Sequence, residues 1–311
     1  MNIFISGSLA YDRIMDFPGK FSDYILPDKI HMLNVCFTVN SMVEKFGGTA
    51  GNVAYSLALL NENPVVLASI GKDYDRYFDW FKEHRISFEH IQIVKEEFTA
   101  GAYITTDKSD NQITGFNPGA MKIPTDYGFD GCTVHETMVL IAPGNLQDMI
   151  GYAAKSRRKN MRFICDPGQS LTQWTPEDLR EWIRGSYILI SNDYELEMIS
   201  KITGLQKKEL SAMTGYLITT LGENGSLISS SEGDFAVSVA KPLEVIDPTG
   251  AGDAYRAGLI KGLSGGRDMV TAAKMGAVAA AYAIEHYGTQ EHRFSEEEFM
   301  SRYRENFGEI G

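Results

Sequence analysis

Short apolar runs alternate with helical patterns along most of this sequence, and few folds accommodate that alternation. Residues 2–6, 65–70, 138–142, 162–165, 187–191 and 216–220 read as buried strands. Between them, residues 50–60, 146–154 and 194–202 carry apolar side chains at helical spacing. Such a chain is expected to be α/β, with a mostly parallel sheet flanked by helices. Several strands run into polar or Gly/Pro turns: APGN at 142–145, CDPG at 165–168, SND at 191–193 and TTLGENG at 219–225. Ligands of open α/β sheets bind outside the carboxyl ends of the strands, so these turns are expected to line one site. Residues 12–46 and about 95–119 interrupt the pattern with aromatic and β-branched residues but no long helix. They are expected to form a small β-rich lid; long surface loops are the alternative, uncommon at this length without a function. With 311 residues and no repeat or linker, a single domain with this lid is expected.

The net charge of −12 excludes broad contact with nucleic acid or an anionic membrane, although a small anion remains possible where local dipoles or a metal oppose that field. Cys36, Cys132 and Cys165 are too scattered for a zinc site or a disulfide framework. MNIFISGSLAYD has no basic leader and reaches Asp12 at once, so no signal peptide is expected, and the chain reads as cytoplasmic.

The chemistry concentrates in residues 245–258, VIDPTGAGDAYRAG. A strand is expected to end near Ile246, with Pro248 enforcing a turn and a helix starting near Ala251. Gly250 and Gly252 let the backbone approach a ligand closely, and a helix N-terminus offers free N–H groups to phosphate. Asp253 at such a place is unusual, because a carboxylate beside phosphate costs Coulomb energy unless it takes a proton from the attacking group. Three readings stay open on spacing alone. Asp253 caps the helix; or GAGDAY is a dinucleotide fingerprint, though no acid follows about twenty residues on; or the Gly250–Ala251–Gly252 amides and Asp253 serve phosphoryl transfer. No Walker A sequence occurs, so a P-loop kinase is excluded.

DPTGAGDAYRAG resembles the C-terminal signature of the ribokinase-like (PfkB) family of sugar and nucleoside kinases, which implies a Rossmann-like ribokinase fold. FGGTAGNVA at 46–54 resembles the family's N-terminal glycine motif, NDYE at 192–195 its N-x-x-E motif, and TLGENG at 220–225 its nucleotide-binding turn. The resemblance implies ATP as phosphoryl donor and Asp253 as catalytic base, with Gly250, Ala251 and Gly252 around the transferring group. Asp12, Gly47, Gly48 and Asn52 are placed at the substrate, Asp12 against a ribose diol that can donate two O–H bonds. Asp166, at a strand end, is a further substrate candidate. Asn192, Thr220, Gly222, Glu223 and Gly225 are placed at the nucleotide, and Glu195 at Mg²⁺ through water. Asp247 and Thr249 are candidates for a monovalent cation such as K⁺, without support from their spacing.

Residues 107–121, DKSDNQITGFNPGAM, are similar to the lid-proximal segment of prokaryotic nucleoside and adenosine kinases in that family. Phe116, Met32 or Phe37 is expected to stack on a base, and Asn34 and Gln112 to supply polar contacts. Transfer to the 5′-hydroxyl of a nucleoside, adenosine first, is therefore expected. A ribose or fructose kinase is the alternative, and a non-catalytic binder a third reading. The family's lids often join dimers, so a homodimer through the lid is possible.

Overall fold

The computed structural model describes residues 1–109 and 111–310, which leaves Asp110 of the 107–121 segment outside the described residues. The chain starts with β1 (Asn2–Ser6), enters a second sheet through β2 (Ala10–Asp16) and β3 (Ser41–Gly47), and returns by α1 (Thr49–Leu59), β4 (Val65–Gly71), α2 (Asp75–Glu83) and β5 (Ile91–Val94). β6 (Ala100–Thr106) and β7 (Gln112–Asn117) complete the second sheet. Regular alternation follows in β8 (Thr137–Ile141), α3 (Leu146–Arg158), β9 (Arg162–Cys165), α4 (Pro176–Ile183), β10 (Ile188–Asn192), α5 (Asp193–Thr203), α6 (Lys207–Met213) and β11 (Tyr216–Thr220). A hairpin of β12 (Ser226–Ser230) and β13 (Gly233–Val237) leads to α7 (Ala251–Ser264), α8 (Met269–Ile284) and α9 (Glu296–Phe307).

The large sheet has the order β13-β12-β11-β10-β9-β8-β1-β4-β5 and is parallel from β5 to β11, with an antiparallel hairpin at one edge. Its strands are apolar at successive positions because both faces are covered. Ile3, Ile5, Val66, Ala68, Met138 and Leu140 point to a core shared with α1, α2 and α7. Phe4, Leu67, Val139, Ile141, Phe163 and Leu189 point the other way, onto α3, α4, α5 and α6. α7 and α8 lie close because glycines face the contact. A Cβ on Gly258 would stand 2.4 Å from the Met275 carbonyl oxygen, and one on Gly262 2.5 Å from Ala272 Cα. No helix among the described residues is long and apolar enough to cross a membrane.

The small sheet, order β3-β2-β6-β7, stands where the lid was expected. Its register puts Lys45, Asp12, Ala102 and Phe116 in one cross-strand row, so these side chains share a face. Tyr11 and Phe46, on the opposite face, pack on Tyr77 and Trp80 of α2 and tie the sheet to the core.

One expected strand is absent. Val245 and Ile246 are 63% and 53% exposed, and the amides of Ile246 and Asp247 both donate to the Ile284 carbonyl rather than to a strand neighbour. The β12–β13 hairpin already occupies that edge of the sheet, so the apolar residues before α7 are loop.

Candidate active site

β1 and β8 are neighbours, and the connections from their carboxyl ends run in opposite directions, from β1 through α1 to β4 and from β8 through α3 to β9. Such a reversal opens a crevice. Here the crevice is bounded by Ser8, which donates its amide to the Pro143 carbonyl at 3.0 Å, and by Thr49, whose hydroxyl donates to the same oxygen at 2.8 Å. Gly48 enters α1 at φ +89°, and a Cβ there would meet the Ser8 carbonyl oxygen at 2.6 Å. The glycine is required on both counts. A Cβ on Gly47 would lie 2.5 Å from Asp12 Oδ2, so Gly47 is small because the Asp12 carboxylate passes over it.

Asp12 is half-buried, and among the described residues nothing donates a hydrogen bond to its carboxylate. Burial pushes its pKa up to about 6. A desolvated carboxylate lacking internal donors is suited to a ligand that brings hydroxyls.

Asp253 lies in the first turn of α7, which Gly250 opens in the left-handed region at φ +80° with no side-chain cap. No side chain caps the first amides of α7; Ala251 donates to the Pro248 carbonyl at 3.3 Å, and the Gly252 and Asp253 amides are left for an anion. Asp253 is no capping acid itself: its Oδ2 accepts from Asn52 Nδ2 at 2.7 Å, and Oδ1 has no partner among the described residues. Burial raises its pKa, against the charge of Arg256 and the Asn52 hydrogen bond; Glu195 adds to the rise. Asn52, expected at the substrate, is itself buried and presents its amide nitrogen to Asp253.

Asp166 has both carboxylate oxygens engaged by Arg256, through Nη2 at 2.7 Å and through Nε. Burial pushes its pKa up to about 7 against the guanidinium, and the ion pair joins the end of β9 to α7 rather than opening toward a ligand. Arg256 stands three positions beyond Asp253, a partner that sequence reading passed over.

Asn192 and Glu195 form a capping box at the start of α5. Asn192 Oδ1 accepts from the Glu195 amide at 2.7 Å, and Glu195 Oε2 from the Asn192 amide at 2.8 Å. N-x-x-E is a capping-box sequence, so this role was readable from spacing. Glu195 keeps its other oxygen free of partners among the described residues, which fits a water-mediated Mg²⁺ contact. No group of three or more His, Cys, Asp or Glu among the described residues is arranged to hold a metal.

Thr220 ends β11 directly beside Asn192 of β10. Gly222 and Glu223 are exposed in the turn to β12, and Gly225 closes it at φ +84°, where a Cβ would meet the Val237 carbonyl oxygen at 2.1 Å. Tyr255 of α7 reaches that hairpin through a 2.8 Å contact between its hydroxyl and Ser226 Oγ. Asp247 accepts from the Thr249 amide on one oxygen and from the Gly288 amide on the other.

The lid candidates separate. Phe37 is packed with Phe17, Phe21 and Tyr24 in the small sheet's own aromatic cluster, and Met32 is 72% exposed outside it. Phe116 is 55% exposed in the row of Asp12. Gln112 sits in the row of Asp16, four residues along β2 from Asp12, and Asn34 is exposed in the loop before β3. The structure does not bring these two to Asp12. Thr289 and Gln290, just beyond α8, contact Asn52 and carried no signal in the sequence.

Comparison with known proteins agrees with this fold. The family model described as pfkB family carbohydrate kinase matches residues 20–295. A nucleoside kinase of Methanocaldococcus jannaschii is 32% identical over 271 residues, covering 86% of this chain and 89% of its own length. The Burkholderia thailandensis nucleoside kinase in complex with inosine superposes with a TM-score of 0.88 at 33% identity, over 99% of both chains. The same enzyme in complex with ADP-inosine gives 0.84 at 34% identity, over 99% of this chain and 97% of that one.

Proposed function

This chain belongs to the pfkB family of carbohydrate kinases and is an ATP-dependent phosphotransferase with a hydroxyl acceptor, and we propose that the acceptor is the 5′-hydroxyl of a nucleoside, adenosine first. The observation that carries this reading is Asp253: one oxygen is held by Asn52 and the other is unpartnered, at the uncapped start of α7. In the proposed reaction Asp253 Oδ1 accepts the proton of the 5′-hydroxyl as that oxygen attacks the γ-phosphorus, and ADP leaves. The amides at Gly250 and Gly252 take the charge gathering on the transferred group, with Ala251 joining as its long 3.3 Å bond to the Pro248 carbonyl is exchanged. Asp12 accepts the ribose 2′- and 3′-hydroxyls over the space that Gly47 leaves open. Phe116, with Ile14, Val43 and Ile104 on the same face of the small sheet, offers the base an apolar wall. That sheet acts as the lid.

Asn192, Thr220 and the Gly222–Gly225 turn are assigned to ATP, and Glu195 to water-bound Mg²⁺, which supplies charge neutralisation on the phosphates. Asp247 keeps a second lone pair on each oxygen, enough for a weakly held K⁺ that clamps the turn before α7 and takes no part in proton transfer. The free thiols Cys36, Cys132 and Cys165 accord with a reducing compartment such as the cytoplasm. The inosine complex of the Burkholderia relative favours inosine as a second purine candidate.

The test is ADP release with ATP–Mg²⁺ across adenosine, inosine, ribose and fructose. Nucleoside turnover well above sugar turnover is expected, and the reverse assigns a sugar kinase. Asp253→Asn is expected to lose roughly 10²–10⁴-fold in kcat, the range of a general base. Near-normal turnover in that variant removes Asp253 from the role.

A further inference from the structure

Asn52 presents its amide nitrogen, not its oxygen, to Asp253, and the reason lies in a buried chain of hydrogen bonds that ends at a tryptophan. The indole Nε1 of Trp80 donates to Gln290 Oε1 at 2.9 Å. An indole N–H can only donate, so it fixes which end of the Gln290 amide faces it. Gln290 Nε2 must then point the other way, where it donates to Asn52 Oδ1 at 3.0 Å and to the Tyr77 hydroxyl at 2.9 Å. Tyr77 has one proton, and it goes to the Gly47 carbonyl at 2.7 Å, so Tyr77 accepts from Gln290. The Thr289 hydroxyl stands 2.9 Å from Asn52 Oδ1 and 3.0 Å from the Phe46 carbonyl oxygen, with one proton for two acceptors. Gln290 is therefore the undivided donor to Asn52. With its oxygen so occupied, Asn52 has only Nδ2 to offer Asp253, at 2.7 Å. Asn52, Thr289 and Gln290 are 5%, 6% and 2% exposed, so water does not compete for the bonds among them.

We propose that Gln290, oriented by Trp80, is a positioning residue for Asp253: by holding the Asn52 amide in one orientation it keeps Asp253 Oδ2 bonded and Oδ1 free for the substrate hydroxyl. Thr289 assists. The inference rests on the reading of Asp253 as base. It assigns to α2 and to the segment after α8 a share in the chemistry, although neither supplies a residue assigned to the substrate. Without the lock, the Asn52 amide is free to turn its oxygen toward the carboxylate, which replaces a donor by a repelling acceptor and disfavours the ionised base. The other groups facing Asp253 are Arg256 on its own helix, Glu195 of α5, Asp166 at the end of β9 and Tyr77 of α2, and the variants below leave all of them in place.

The test compares wild type, Gln290→Leu and Trp80→Phe in ATP–Mg²⁺ turnover from pH 5 to 9, with whichever of adenosine, inosine, ribose or fructose is turned over fastest. Trp80→Phe keeps a smaller aromatic ring against Phe46 and Tyr55 and removes the N–H with part of the indole, so it gives a second, independent reporter if Gln290→Leu is unstable. The expected result is that the acid limb of kcat moves to higher pH by about one unit in Gln290→Leu and in the same direction in Trp80→Phe, with KM for ATP unchanged. A purely structural role lowers the melting temperature and the amount of active enzyme but leaves the limb in place. An unmoved limb in either folded variant overturns the relay. If Asp253→Asn is inactive while the limbs stay put, the relay alone fails. If Asp253→Asn turns over normally, the base assignment fails first.

Discussion

Asp12 is a carboxylate whose pKa burial has raised from 3.8 to about 6, which makes its ionisation visible near working pH. The ionised form accepts a charge-assisted hydrogen bond on each oxygen from the two hydroxyls of a diol, whereas the protonated form loses the charge and turns one oxygen into a donor. Nucleoside KM is therefore expected to rise as pH falls below about 6, approaching tenfold per unit, and to become high and flat with pH in Asp12→Asn. Steady-state kinetics from pH 5 to 8 decide this. The sign for stability is the opposite: a folded-state pKa above the unfolded one favours the folded protein at low pH, and that contribution is lost as pH rises through about 6. Asp12→Asn should then be no less stable than wild type at pH 8 in the absence of ligand, the mark of a residue placed for binding rather than folding. Asp12 and Asp253 were singled out in the sequence through the family resemblance, since spacing alone left Asp253 open to a capping role. What Asn52 does was not. A one-letter code carries no amide orientation, and the residues that set it, Thr289 and Gln290, lie more than 200 positions away.

Elements show the same division. The α7–α8 contact depends on absent side chains, and its tolerance is narrow: Gly258→Ala would drive a methyl to 2.4 Å from the Met275 carbonyl oxygen. Overpacking of this kind costs about 1–3 kcal/mol, to be read as a lowered urea midpoint at unchanged slope. Because α7 carries Asp253 on its first turn, the same variant should also lower kcat. In the small sheet, Phe116→Ala should raise KM for a nucleoside and leave KM for ATP unchanged, since Phe116 shares the row of Asp12 and the residues proposed for ATP lie on the large sheet. Equal KM before and after the change would remove Phe116 as the base's wall. At this scale periodicity located the central strands and helices within one or two residues, except that α3 runs on to Arg158. It failed at Val245 and Ile246, where apolar composition without a strand neighbour gave loop. It also missed the local meaning of NDYE, a capping box that starts α5 whatever else Glu195 holds.

For the whole molecule, alternation sufficed for a parallel sheet covered on both faces, because buried strands must be apolar at successive positions and their crossovers must be helices. The strand order, with β1 between β4 and β8, was not legible, since β4 and β8 pair with β1 at sequence separations that no local pattern records. That order makes the site composite. Asp12 comes from the small sheet, Asp253 from α7 near the other end of the chain, and Asn52 from α1 between them. A ligand bridging the two sheets should therefore stabilise the folded chain as a unit. A nucleoside at about 100 times its dissociation constant adds about 2.7 kcal/mol to stability, on the order of 4 °C in melting temperature for a chain this large. Thermal denaturation with adenosine, inosine, ribose or fructose reads this without turnover. Asp253→Asn should keep the nucleoside shift, because its lost proton transfer is not a binding contact, while Asp12→Asn should lose it. A wild-type shift unaccompanied by ADP release would identify a binder that has ceased to catalyse. A shift with ribose as large as with adenosine would mean that the small sheet recognises no base, and the acceptor would then be a sugar.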